Sequence, residues 1–111
     1  MAEYIWTSHA RYKMNHYRLS ESRVKRVISS PLRREVGIAD GTVAMMQKAG
    51  TEKHPYEIWV MINKSKVKGQ MSHAYRQAGK VKIISAWRYP GITKPGEPLP
   101  KEILSEMRDV R

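Results

Sequence analysis

The sequence predicts an α+β protein in which a helical hairpin packs on a small, mainly antiparallel sheet in the order β-α-α-β-β-β, with a further helix at the C-terminus. Near the N-terminus, two segments with apolar residues at helical spacing follow one another. Later segments are rich in β-branched and aromatic residues, and residues 81–89 are apolar on both alternating faces, as in an interior strand. A length of 111 residues fits one domain.

The first part of the chain predicts a strand and two helices. Residues 4–6 form a short apolar strand, and Thr7 or Ser8 caps a helix over about residues 9–17. Ser20 caps a second helix, which ends before Pro31. The buried stripes are predicted as Ala10, Met14 and Tyr17 in the first helix and Val24, Val27 and Ile28 in the second.

The second part of the chain predicts the rest of the sheet. Residues 33–36 form a loop or short edge strand, and strands follow at residues 42–47, 56–62 and 81–89. Strict alternation in the last strand places two sets of residues on opposite faces: Val81, Ile83, Ser85 and Trp87 against Lys82, Ile84, Ala86 and Arg88. Residues 63–80 are predicted to be a mobile basic loop.

The C-terminal residues predict an arm and a helix. Residues 1–89 are expected to form the α+β domain, and residues 90–111 to pack on it. Four of the six prolines lie between residues 90 and 100, which favours an extended arm. An amphipathic helix is then predicted from its apolar residues Ile103, Leu104, Met107 and Val110.

The positive charge is concentrated in two parts of the chain. The formal net charge is +11, and residues 1–34 hold eight Lys/Arg against two acids, giving +6. Residues 63–94 hold eight Lys/Arg and no acid, giving +8. Clustered cations are typical of proteins that bind nucleic acid or an acidic protein segment.

Several classes of protein do not fit the composition. The absence of cysteine excludes disulfides and thiolate zinc sites. No apolar run approaches the length of a membrane span, and the N-terminus lacks the features of a secretory signal. The expectation is a cytoplasmic protein that needs no metal and no cofactor and has no membrane partner. The oligomeric state is left open.

Short motifs near both ends of the predicted domain resemble those of a known superfamily. The first is Ser8-His9-Ala10 ahead of a basic helix with Met14 and Arg18, followed by Leu19-Ser20 and Val24-x-x-Val27-Ile28. It resembles an uncharacterised bacterial family related to BrnT-like toxins, in the RelE/ParE toxin superfamily. The second, Ile83-Ile84-Ser85-Ala86-Trp87-Arg88, resembles the final strand of BrnT-like proteins, with Trp87 where that pattern has arginine.

The resemblance implies the β-α-α-β-β-β fold, RNA cleavage by a small basic toxin and an acidic antitoxin as partner. It also implies the RNA or the ribosome as target, because superfamily members act as mRNA interferases. The similarity covers most of residues 4–89. RelE-like enzymes use a tyrosine near the C-terminus, which makes Tyr89 a candidate at the end of the last strand.

Metal-independent cleavage through the 2′-OH of RNA needs a base, cations that stabilise the charged phosphorane and an acid for the leaving oxygen. Candidates for these catalytic roles are Arg88, His9, Lys13 and Tyr89. Candidates for RNA binding are Arg11, Arg18, Arg23, Arg26, Lys64, Lys66, Lys68 and Arg76. Tyr12 and Tyr75 are able to stack on bases.

Two further functions stay open at this point. A protein with a degenerate toxin fold is able to bind nucleic acid or the ribosome without catalysis, and this explains the charge equally well. The C-terminal helix is also able to dock on an antitoxin or on a second copy of the chain. A helix packed on its own sheet predicts the same apolar pattern.

Overall fold

The computed structural model describes residues 3–36, 41–63 and 80–94 and shows an α+β fold with two helices and a five-stranded mixed sheet. Within these ranges, neither helix is long and apolar enough to cross a membrane. The predicted C-terminal helix and all but the ends of the predicted basic loop lie outside the described residues. The elements are β1 (Glu3–Trp6), α1 (Ser8–Tyr17), α2 (Glu21–Ser29), β2 (Arg33–Val36), β3 (Thr42–Gly50), β4 (Pro55–Asn63) and β5 (Lys80–Pro90).

The sheet has the strand order β1-β5-β4-β3-β2. Strand β1 runs parallel to β5, and every other neighbouring pair is antiparallel. The prediction that residues 81–89 form an interior strand is confirmed, because β5 lies between β1 and β4. Residues 33–36 form an edge strand, which was one of the two predicted alternatives.

The ends of both helices are fixed by local hydrogen bonds. Thr7 Oγ1 accepts a hydrogen bond from Ala10 N at 3.1 Å and donates to the Ile83 carbonyl at 2.8 Å, so α1 begins beside β5. Ser20 Oγ accepts a hydrogen bond from Arg23 N at 3.1 Å, which confirms the predicted cap of α2.

At the other end of α1, Arg18 adopts the left-handed conformation (φ 59°, ψ 49°). Leu19 N then donates to the Met14 carbonyl at 2.8 Å, and Arg18 N donates to the Asn15 carbonyl at 3.3 Å. These two bonds form a Schellman motif, in which glycine is the usual left-handed residue. The chain therefore turns sharply from α1 into α2 at a position that carries a cation.

The two faces of the sheet form two separate apolar clusters. Both helices pack on one face, which is called the helix face, and their predicted buried stripes are confirmed except that Tyr17 is half-buried. The sheet contributes Met45, Ile58, Val60, Ile62, Val81, Ile83 and Ala86 to this face. The opposite face holds Ala44, Met46, Trp59, Met61, Ile84 and Trp87.

Strict alternation in β5 was a wrong prediction. Ile62 pairs with Ile83 and Met61 pairs with Ser85, so Ile84 is an extra residue at a β-bulge. Beyond the bulge the two faces are exchanged, because one inserted residue shifts every later side chain by one position. Ala86 therefore joins Val81 and Ile83 on the helix face, whereas Ile84 and Trp87 lie on the opposite face.

Candidate nucleic-acid interface

A row of paired residues crosses the sheet beneath the helices near the end of β5. Gln47 on β3 pairs with Ile58 on β4, and Ile58 pairs with Arg88 on β5. All three belong to the helix face, because Met45, Ile58 and Ala86 lie there and side chains alternate along each strand. Two strand spacings separate Gln47 from Arg88, a distance of about 10 Å between their Cα atoms.

Arg88 is held against the C-terminal end of α1. Its Nε donates to the Tyr17 carbonyl at 2.8 Å, and its Nη2 donates to the Arg18 carbonyl at 3.3 Å. The guanidinium carbon also lies 5.0 Å from the centre of the Tyr56 ring. The last carbonyls of a helix lack intrahelical partners and carry partial negative charge, so a cation there stabilises the helix end. These contacts fix the guanidinium at the edge of the helix face.

Arg23 approaches the same row from α2. Its Nη1 donates to Gln47 Oε1 at 2.5 Å, and Gln47 Nε2 donates to the carbonyls of Arg26 and Ser30 at 3.2 and 2.8 Å. Gln47 therefore caps the end of α2 as Arg88 caps the end of α1. Because Gln47 and Arg88 are two strands apart, Arg23 and Arg88 lie on either side of Ile58.

Arg23, Arg26 and Arg88 together are called the arginine cluster. Burial lowers the pKa of the Arg23 guanidinium, and the charges of Arg26 and Arg88 lower that pKa further, whereas Tyr56 raises it. In the described ranges no carboxylate bonds to the cluster, and its hydrogen bonds go to neutral oxygens of Gln47, Tyr17 and Arg18. Arg26 lies three residues after Arg23 on α2, so the two are neighbours on the helix surface, and most N–H donors of Arg23 and Arg88 have no described acceptor. An anion placed among these arginines would relieve their repulsion.

The four predicted catalytic residues are spread over the fold. His9 is exposed in the first turn of α1, nine residues before Arg18, which corresponds to about 13 Å along a helix axis. Lys13 lies one turn later, with Nζ 5.3 Å from the Tyr17 ring. Tyr89 packs against the apolar cluster of the opposite face, and it pairs with Glu57 on the neighbouring strand β4. The structure thus places Lys13 one turn from His9, holds Arg88 at the C-terminal end of α1 and puts Tyr89 on the opposite face of the sheet.

The predicted RNA-binding residues divide into three groups. Arg23 and Arg26 belong to the arginine cluster, and the backbone of Arg18 contacts it through Arg88. Arg11 is engaged elsewhere, because its Nη1 lies 3.0 Å from Glu21 Oε2 and its guanidinium carbon lies 5.5 Å from the Trp6 ring. The third group lies outside the described residues: Lys64, Lys66, Lys68 and Arg76.

Sequence reasoning missed Gln47 and Tyr56, which position the cluster. Neither residue belongs to a recognisable motif, and both act on residues far away in the chain. Their roles follow from the strand register, which places Gln47 in line with Arg88 and places Tyr56 opposite Pro90. In the described residues, no group of His, Asp and Glu side chains is arranged to hold a metal ion.

Comparisons of the chain with protein-family models, with curated proteins and with solved structures gave no match. The resemblance to BrnT-like toxins therefore stays a prediction that depends on the short motifs alone.

Proposed function

We propose that the protein binds RNA through its phosphates at the arginine cluster. The observation that carries this proposal is that Arg23 and Arg88 are held on either side of Ile58, with Arg26 beside Arg23 on α2 and no bonded carboxylate among the described residues. Guanidinium groups match phosphate oxygens in a two-pronged geometry and stay charged at all physiological pH values. The RNA is proposed to be bound either as a free molecule or within a ribosome.

The supports of the cluster favour binding over a merely solvated surface. A free surface arginine loses side-chain entropy when it binds a phosphate, which reduces the net gain. Arg88 is already held by two carbonyls and an aromatic ring, and Arg23 is already held by Gln47. Much of that ordering is thus complete before any ligand arrives. An acidic antitoxin, as implied by the toxin resemblance, is proposed to compete with RNA for this cluster.

Fluorescence anisotropy with a labelled single-stranded RNA tests the proposal. Arg23→Gln should weaken binding by about 5- to 20-fold, because one charge-assisted phosphate contact is lost. Lys48→Gln is the control, since Lys48 is exposed on β3 and pairs with Glu57 on the opposite face of the sheet. It should change the affinity less than about twofold. Equal losses in both variants, or no RNA binding at low salt, would refute the proposal.

The second candidate function is metal-independent RNA cleavage in a toxin-antitoxin system. The observation that favours it is the element order of β1, α1, α2 and β3 to β5, which is the order that the resemblance to RelE/ParE toxins implies. Strand β2 is then an addition at the sheet edge. In this proposal Arg88 stabilises the charged phosphorane and Lys13 assists it. The predicted base His9 and acid Tyr89 lie in the first turn of α1 and on the opposite face of the sheet, so neither is assigned a role beside Arg88.

Incubation of RNA with purified protein in the presence of a metal chelator distinguishes cleavage from binding. Cleavage through the 2′-OH should give fragments that end in a 2′,3′-cyclic phosphate. Arg88→Ala should suppress these fragments, and expression of the wild-type chain in a bacterium should arrest growth. Intact RNA at saturating protein concentrations would leave the non-catalytic binder as the function.

A further inference from the structure

The outer side of α1 carries a pair of aromatic rings four residues apart. Tyr12 is 68% exposed, and its ring centre lies 6.5 Å from that of the exposed His16, with 18° between the ring planes. Residues at this spacing are neighbours on a helix surface. α1 buries Ala10 and Met14 against the sheet, which leaves the Tyr12 ring outside the core.

The pair is attached to a third ring that is held by the fold. His16 contacts the Tyr17 ring edge to face, with 4.7 Å between centres and 89° between planes. Tyr17 packs against both clusters of the sheet, and its carbonyl accepts a hydrogen bond from Arg88. The exposed stack is thus ordered by the same helix end that positions the arginine cluster.

The surroundings of the stack suit a negatively charged strand with aromatic bases. No acidic residue lies between residues 8 and 20, whereas Lys13 and Arg18 do, and Glu21 is paired with Arg11. Arg18 lies six positions after Tyr12, which corresponds to about 9 Å along a helix axis. Neighbouring nucleotides of one strand are able to span the C-terminal end of α1 from the ring pair to the arginines.

We propose that Tyr12 and His16 form a stacking platform for an unpaired base of a single-stranded nucleic acid whose phosphates bind the arginine cluster. This inference depends on the proposed RNA-binding function and specifies its substrate class as single strands. Every base has a π-face, so stacking on an aromatic ring adds affinity without reading sequence. In a duplex the faces of the bases are covered by their neighbours, and the platform gains no contact.

Three probes of equal length test the platform: a single-stranded RNA, the same RNA within a duplex, and an oligomer with the sugar-phosphate backbone but no bases. Tyr12→Ala should weaken binding of the single strand by about 5- to 100-fold, the range for loss of one base stack. It should leave the affinities for the duplex and for the base-free oligomer unchanged. Tyr12→Phe should retain the wild-type affinity for all three probes, because the phenyl ring stacks as well.

Leu32→Ala is the matched control, because Leu32 is also a large exposed apolar residue, at 59%. It should not change the affinity for any probe. An equal effect of Tyr12→Ala on all three probes, or no effect on the single strand, would overturn the platform while leaving phosphate binding intact. Failure of the wild-type protein to bind even the base-free oligomer would refute the arginine cluster as a phosphate site, and the platform with it.

Discussion

The two faces of the sheet bury polar groups in opposite ways. On the helix face, Arg23 and Arg88 lie at the rim. Each guanidinium donates one or two hydrogen bonds, and its remaining N–H groups have no acceptor among the described residues. On the opposite face, Glu57 is fully buried and accepts three hydrogen bonds, from Trp59 Nε1 at 3.0 Å, Thr93 N at 3.0 Å and Thr93 Oγ1 at 2.8 Å. The first face therefore has binding capacity left, whereas the second is a closed network.

The closed network ties three separate segments together. Gly91 turns the chain after β5, and its N donates to the Pro55 carbonyl at 3.0 Å. This turn brings Thr93 beside Glu57. Arg33 on β2 donates to the Thr93 hydroxyl at 2.5 Å and lies with its guanidinium carbon 5.4 Å from the Trp59 ring. Variants on this face should change stability, and variants of the arginine cluster should mainly change RNA binding.

The largest expected effect is that of Glu57→Ala. It removes the acceptor of three buried donors and leaves a cavity, so the free energy of unfolding should fall by about 3 kcal/mol or more. Urea denaturation measures this change. Glu52→Ala is the matched control, since Glu52 is exposed in the turn between β3 and β4, and it should change the value by less than about 0.5 kcal/mol. A small effect of Glu57→Ala would contradict the closed network.

A second prediction compares the two tryptophans of the opposite face. Trp59 and Trp87 stack with 6.1 Å between ring centres and 5° between planes, and both are buried. Trp59 Nε1 donates to Glu57, whereas Trp87 Nε1 is buried and has no hydrogen-bond partner among the described residues. Trp59→Phe therefore removes a bond to a charged group, and Trp87→Phe removes an unsatisfied donor.

Thermal unfolding of the two variants checks this comparison. Both substitutions lose similar packing, so Trp59→Phe should be less stable than Trp87→Phe by about 1 to 3 kcal/mol. Equal losses would show that the hydrogen bond to Glu57 contributes nothing to stability.

Arg18→Gly should have the smallest effect on stability. It should leave the protein as stable or slightly more stable, while it weakens the binding of RNA. Glycine adopts the left-handed conformation of this position without the steric cost that a side chain meets. The free energy of unfolding should stay unchanged or rise by up to about 1 kcal/mol, because the entropy of glycine in the unfolded chain offsets part of the gain. Affinity for RNA should fall. Parallel losses of stability and affinity would contradict this account.

The sequence predicted those parts of the fold that depend on local patterns. The buried stripes of α1 and α2 and the cap at Ser20 followed from helical spacing and side-chain chemistry. The faces of β5 after Ile83 were mispredicted, because the bulge at Ile84 appears only in the pairing with β4. Glu57 and Gln47 were missed for a similar reason. Their partners lie in distant parts of the chain, and only the strand register brings them together.

The candidate site was predicted in part. Arg23 and Arg26 were named for their charge, and Arg88 for its place at the end of the last strand and for the family resemblance. In the structure Arg23 and Arg88 lie on either side of Ile58. Charge alone did not distinguish them from Arg11, which is paired with Glu21. Such a distinction needs the three-dimensional positions of the acids, and net charge along the chain does not contain them.

The salt dependence of RNA binding tests the central claim, that the arginine cluster holds phosphates, most directly. Each phosphate neutralised on a single strand contributes about 0.7 to the slope of log affinity against log salt. The double variant Arg23→Gln/Arg88→Gln should therefore lower the slope of the wild-type protein by about 1.4. The control double variant Lys48→Gln/Lys82→Gln removes two exposed cations of the opposite face and should leave the slope nearly unchanged. A wild-type slope in the cluster variant, with its fold verified by circular dichroism, would contradict the account.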